Sequence, residues 1–192
     1  RGLAIRDKDG KAIRLLGSHI DVTDLYLERK KLEEENKRFN SIITGAQLGT
    51  WEWNIQTNQT IFNDRWAEML GYKREEISPT SYETWDKFLH PDDRDKVKKS
   101  LQDHFDGKNT FYEVEVRMLH KKGYWIWVLS KGKIATRTAD GDPFMMYGSH
   151  IDITERKNNE LMLDYYQDLF NRTKKAAFIG SWEVNLEKKT VY

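Results

Sequence analysis

Cysteine is absent from the 192 residues. That excludes disulfides, thiolate metal sites, a cysteine nucleophile and any cofactor attached through a thiol. Neither sign of charge is in excess: 32 Lys and Arg stand against 31 Asp and Glu, a net charge of +1. Nucleic acid would demand a concentrated basic surface, so binding to it has no electrostatic support. No apolar run approaches the roughly 20 residues needed to span a bilayer. The first residues, Arg1-Gly2-Leu3-Ala4-Ile5-Arg6, lack the apolar stretch of a signal peptide. The segment is therefore expected to be soluble and cytoplasmic, with no membrane contact. Proline occurs three times and forces few breaks. Aromatics, by contrast, make up 12% of the chain and include seven Trp.

The chain repeats itself. Leu16-Gly17-Ser18-His19-Ile20-Asp21-Val22-Thr23-Asp24 returns as Tyr147-Gly148-Ser149-His150-Ile151-Asp152-Ile153-Thr154-Glu155, and Leu48-Gly49-Thr50-Trp51-Glu52-Trp53-Asn54 returns as Ile179-Gly180-Ser181-Trp182-Glu183-Val184-Asn185. Gly17 to Gly148 and Gly49 to Gly180 are both steps of 131 residues. Two motifs with one offset predict a repeated domain with linkers of equal length. The expected layout is the C-terminal strands of a preceding copy at 1–23 and a linker helix at 24–44. A complete copy follows at 45–154, a second linker helix at 155–176, and the first strands of a following copy at 177–192.

Within the complete copy, Trp51, Trp53 and Ile55 alternate with polar residues as in a half-buried strand, and Thr60-Ile61-Phe62 supplies a second. Asn63 is placed to cap a helix carrying Trp66, Met69 and Leu70, closed by Gly71. Short helical pieces are expected between Glu75 and Leu89. His90-Pro91-Asp92-Asp93 reads as a helix start, its aspartates facing the positive end of the dipole. Val97, Leu101 and Phe105 form that helix's apolar stripe. Tyr112 to Met118, Tyr124 to Leu129 and Phe144 to Ile153 read as three strands, the middle one apolar on both faces and in need of cover. The order predicts an α+β fold with a five-stranded antiparallel sheet and short helices on one face.

Gly49-Thr50-Trp51-Glu52-Trp53, Asn63 through Leu70-Gly71-Tyr72, His90-Pro91-Asp92-Asp93, Glu115-Val116-Arg117, Trp125-Ile126-Trp127 and Gly148 through Thr154 follow one another in a set order. Together they resemble a PAS domain with its C-terminal PAC motif, over about residues 42–154. The resemblance implies the PAS fold flanked by linker helices. It also implies a sensory and signal-relay module of a bacterial multi-PAS protein, most often a histidine kinase of a two-component system and less often a cyclic-di-nucleotide cyclase. The catalytic part would lie outside this segment, which offers no catalytic constellation and no metal set of its own. A pocket between the sheet's inner face and the helices is implied, with Met69, Phe88, Leu101, Phe105, Val116 and Met146 as candidate lining. All six would be buried in an empty domain as well.

Other chemistry is thin. None of His19, His90, His104, His120 and His150 has a second histidine at ligand spacing. His104 is the position at which a haem-binding PAS domain would place its axial ligand, although haem is disfavoured. His19 and His150 hold equivalent positions, which suggests packing or a strand-to-helix hydrogen bond. The Trp125 and Trp127 stripe is read as core filling rather than a stacking platform. Without cysteine, a covalent flavin and a thioester-linked chromophore are both excluded, leaving a non-covalent flavin, a small metabolite or no ligand.

The joints carry a second signal. Asp152-Ile153-Thr154-Glu155 has capping-box spacing, with Asp152 expected to accept from the N–H near Glu155 and Glu155 to reach back; Asp21-Val22-Thr23-Asp24 repeats it. These residues are the expected points of signal transmission. Leu25, Leu32 and Phe39, and again Leu163, Tyr166 and Phe170, have a/d-like spacing. Either the helices lie on their own domain, or they pair two copies in a homodimer that also uses the sheet face. A non-sensing interaction and dimerisation scaffold is the competing function. The two chain ends, with Ile13, Leu15, Ile20, Trp182 and Val184, are expected to pair with each other or dock on the central copy.

Overall fold

The computed structural model describes residues 2–176, 184–185 and 190–191. Contacts divide the chain into two units, Arg1–Ala46 and Gln47–Tyr192.

In the first unit, β1 (Gly2–Arg6) and β2 (Ala12–Gly17) form an antiparallel hairpin. Its turn is closed by the Asp7 carboxylate, which accepts from the N–H groups of Asp9 and Lys11 at 3.0 and 2.9 Å. Gly10 stands at φ +82°, a conformation open to glycine at little cost. A single helix, α1 (Thr23–Gly45), follows and buries none of its residues. Leu25, Leu32 and Phe39 are all exposed.

The second unit is built on a five-stranded antiparallel sheet, as the alternation of apolar residues requires. Its strands are β3 (Gly49–Asn54), β4 (Thr60–Phe62), β5 (Tyr112–Leu119), β6 (Trp125–Arg137) and β7 (Pro143–Asp152), in the order β4-β3-β7-β6-β5. Three helices, α2 (Asp64–Met69), α3 (Tyr82–Phe88) and α4 (Arg94–Phe105), lie between β4 and β5 in the chain. The helix α5 (Thr154–Ala176) leaves directly from β7. The short strands β8 (Val184–Asn185) and β9 (Thr190–Val191) form a separate pair.

Asn63 ties the sheet to α2. Its Oδ1 accepts from the N–H groups of Trp66 and Thr50, both at 2.9 Å, and its Nδ2 donates to Leu48 O at 2.9 Å. Trp66, fully buried, stacks on Phe62 with ring centroids 3.8 Å apart. Edge strand β5 is protected from further pairing by α4: Lys96 Nζ donates to Glu115 O at 2.9 Å and Ser100 Oγ to Glu113 O at 3.2 Å.

Two expectations change with the structure. Asp92 and Asp93 both stand in the first turn of a helix as expected, but Asp93 is in addition a buried anchor for Arg117. Arg117 donates to its carboxylate through Nε at 3.0 Å, Nη2 at 2.9 Å and the backbone N–H at 2.8 Å. Burial alone would raise the Asp93 pKa, and the Arg117 bonds outweigh it and hold the carboxyl below its ordinary value. The second correction concerns Trp125 and Trp127. Ile126, Val128 and Ser130 take the inward positions of β6, so the two indoles face outward instead of filling the core. Trp127 is covered by cations, Arg117 at 5.6 Å and Lys157 at 5.5 Å from its ring centre, and Trp125 lies 4.4 Å from the His90 ring.

The offset of 131 residues also relates hydrogen bonds. Ile5↔Arg14 and Arg6↔Ala12 in the first hairpin correspond to Thr136↔Met145 and Arg137↔Pro143 in the second. Arg6 Nη1 donates to Gly10 O at 2.8 Å, and Arg137 Nη1 to Gly141 O at 2.9 Å. Val184↔Val191 corresponds in the same way to Trp53↔Thr60. Of the residues expected to pair the two chain ends, Trp182 lies outside the described ones.

Candidate functional site

A cavity of about 40 Å3 opens between the inner face of the sheet and α3. Its walls are aromatic: Trp51 and Trp53 come from β3, Phe62 from β4, and Tyr82 and Trp85 from α3. Thr60, Leu101, Tyr112, Ser130 and His150 complete it. Strand alternation explains most of this, since Trp51, Tyr112, Ser130 and His150 all point inward. Trp53 and Tyr82 stack at 5.0 Å. The floor depends on glycine. A Cβ on Gly132 or Gly148 would overlap the Trp51 ring, so the indole can lie across β6 and β7 only because neither strand has a side chain there.

A polar chain runs through this aromatic wall. Trp66 Nε1 donates to His150 Nδ1 at 2.7 Å. An indole N–H can only donate, so His150 Nδ1 is the acceptor and the imidazole proton sits on Nε2, 2.8 Å from Ser130 Oγ. Burial pushes the His150 pKa down to about 3, which keeps the ring uncharged. Ser130 in turn hydrogen-bonds the Tyr112 phenol. A hydroxyl carries two lone pairs, so Ser130 can accept from His150 and still either donate to Tyr112 or accept from it. Burial raises the Tyr112 pKa well above its ordinary value and, with help from Asp86 and Glu83, that of Tyr82 to about 12. Both phenols are thus neutral at physiological pH.

Around the same cavity, Trp51 Nε1, Trp53 Nε1, Trp85 Nε1 and Thr60 Oγ1 are buried and have no hydrogen-bond partner among the described residues.

Of the six lining candidates named from the sequence, Leu101 faces this cavity. Met69, Val116 and Met146 are buried in the core around it, and Phe88 and Phe105 are partly buried against that core. Phe105 touches the wall through Trp53, at 6.2 Å between ring centroids. The tryptophans, Tyr82, Tyr112 and Ser130 are lining that no sequence motif marks. One signal was available: four tryptophans at inward positions bring more N–H donors than an apolar core can satisfy.

Residues 59–150 match the model of the family described as PAS fold. The domain is 30% identical to a sensory box histidine kinase/response regulator from Burkholderia thailandensis, whose structure superposes with a TM-score of 0.61 over 70% of this chain and 98% of that one. The chain belongs to the PAS family, its PAS domain lying within the second unit. The N-terminal domain of a diguanylate cyclase with PAS/PAC sensor from Marinobacter aquaeolei has the same fold, at 23% identity, a TM-score of 0.50, and coverage of 57% of this chain and 98% of that one. An uncharacterised protein, y4lL, from Sinorhizobium fredii is 28% identical over 160 residues, 83% of this chain. This chain spans only 19% of that relative's length.

The PAS sheet passes into α5 without a break. Ile153 remains in the ladder, donating to Trp127 O at 2.8 Å. Thr154 Oγ1 then accepts the next N–H, that of Trp127, at 2.9 Å. The expected capping box forms only in part: Asp152 accepts from the N–H of Thr154, next to Glu155, at 2.8 Å, and Glu155 stands exposed in the first turn. Because the ladder runs on to Ile153, the carboxylate meets the helix two residues on rather than three. Asp21 makes the same bond to the N–H of Thr23 at 2.9 Å. Glu115 on β5 clamps the first turn of α5 through Arg156 and, at 2.7 Å, Lys157. These two cations hold the Glu115 carboxyl below its usual range, Lys157 contributing most. Beyond that turn, Leu163, Tyr166 and Phe170 are exposed.

His104 is not free to ligate a metal. Its Nδ1 pairs with Asn109 O at 2.9 Å, and its Nε2 accepts from the N–H of Ile134 at 3.0 Å, at the β-bulge in β6. Among the described residues no group of three His, Cys, Asp or Glu side chains could hold a metal ion, and no helix is long and apolar enough to cross a membrane. The cavity, at about 40 Å3, is far smaller than the several hundred Å3 that enclose a drug-sized ligand.

Proposed function

We propose that this PAS domain is a sensory and signal-relay module whose output lies outside the chain. The observation that carries this reading is that one strand serves both ends of the relay. On β7, His150 faces the cavity, and Asp152, two residues on, caps α5. A change in the cavity that alters the tilt of β7 therefore acts on α5 with no flexible spacer between. The B. thailandensis relative favours a histidine kinase as the output. The hydrogen bonds related by 131 residues support a multi-PAS parent in which the first unit carries the end of a preceding copy. The exposed apolar residues of α1 and α5 support pairing of two chains through their linker helices.

The test is autophosphorylation of the intact parent protein. Asp152→Ala is expected to change its rate while the domain stays folded. An unchanged rate, with α5 equally helical, would overturn the relay; a parent without autophosphorylation would overturn the kinase assignment.

A further inference from the structure

The unpartnered polar groups around the cavity can all donate, and three of them can only donate. Indole N–H groups donate and never accept, and those of Trp51, Trp53 and Trp85 are buried without a partner. Thr60 Oγ1, also buried and unpartnered, can donate as well. A buried donor left unmade costs about 1–3 kcal/mol, so a wall with several unmade donors gains from any occupant that brings acceptors. No Lys or Arg side chain lines the cavity, and His150 is neutral. An anion would give up its hydration with no cation to offset the loss. No carboxylate lines the cavity, so a cation would meet ring faces but no counter-charge.

We infer that the cavity of this PAS domain binds a small uncharged molecule with one or more strong hydrogen-bond acceptors on an otherwise apolar body: the carbonyl, tertiary amide, sulfoxide or N-oxide class. The inference rests on the sensing role proposed above and specifies what is sensed. At about 40 Å3 the site takes a ligand of few heavy atoms. Its acceptor is held by the unpartnered indoles lining the cavity, and its apolar body meets Phe62 and Leu101.

The test is a titration of the 15N-tryptophan-labelled 192-residue chain followed through its indole 1H–15N signals. Three probes are compared: N,N-dimethylacetamide as the uncharged acceptor, acetate as the anionic acceptor and cyclopentane as a body without acceptors. Dimethylacetamide is expected to move the Trp51, Trp53 and Trp85 signals downfield and saturably. Trp66, already bonded to His150, should stay in place and report that the domain is folded. Trp85→Phe keeps most of the ring area and removes the donor, and should weaken dimethylacetamide about three- to tenfold, the loss of one hydrogen bond. Trp53→Phe, at the half-buried stacked position, provides the same comparison should Trp85→Phe disturb folding. Stronger binding of acetate or cyclopentane than of dimethylacetamide would overturn the ligand class and leave the relay standing. Indole signals unmoved by all three probes would also overturn it. The relay is read separately, from the effect of Asp152→Ala on output.

Discussion

His150 is held neutral by burial while its two nitrogens serve one donor and one acceptor. An imidazole whose folded pKa is depressed from 6.5 to about 3 contributes stability that is complete above 6.5 and is lost as the pH falls below it. At pH 5 the loss amounts to about 2 kcal/mol. Urea unfolding at pH 7 and pH 5 checks this: the wild-type midpoint should fall at pH 5, and the fall should shrink in His150→Gln. Asp93 acts in a more acidic window. Its depressed carboxyl contributes stability above its ordinary value of 3.8 that is lost as the pH drops through the lower folded value. Arg117→Ala leaves that buried carboxylate with only the backbone N–H of its three donors and strips cover from Trp127. It should cost about 1.5–3 kcal/mol, measured by the same unfolding experiment at neutral pH. Arg117 could be singled out from its strand position and the aromatics nearby. Its main partner could not, because nothing in His90-Pro91-Asp92-Asp93 says which aspartate turns inward.

At the scale of elements, the junction of β7 with α5 and the contact of β3 with β6 and β7 are the two connections that matter most. Thr154→Val keeps the shape of the side chain and removes the acceptor for the Trp127 N–H. The expected cost is about 1–3 kcal/mol, with faster amide exchange at Trp127 and in the first turn of α5. Gly148→Ala would drive a methyl group into the Trp51 ring. It should destabilise the domain by about 1–3 kcal/mol and broaden the Trp51 indole signal. The strands and most helices were legible because period-2 and period-3.6 patterns reflect which side of an element is buried. Asn63 was legible as a cap for the same local reason. The cap at Asp152 was legible in its residues but not in its geometry, since capping-box spacing does not reveal how far the ladder continues. Nor did the pattern reveal which face of β6 is inner. Both faces are apolar, and only the Lys157 and Arg117 side chains, distant in sequence, decide that Trp127 faces outward.

For the molecule as a whole, a cavity, a strand and a helix form one continuous hydrogen-bonded path. The cavity was the least legible part. It arises where residues from β3, β4, α3, α4, β5, β6 and β7 converge, and its unmet donors are a property of that convergence rather than of any motif. The central claim is that the state of the cavity is felt in α5. Amide hydrogen exchange on Trp66→Phe tests it most directly. That substitution removes the donor to His150 Nδ1 on the helix side of the cavity and touches nothing in α5. Exchange should quicken at Ile153 and Lys157, whose N–H groups bond Trp127 O and Ile153 O, while the β5 amides keep their protection. Unchanged exchange at Ile153 and Lys157, with the His150 ring signals displaced, would contradict the coupling.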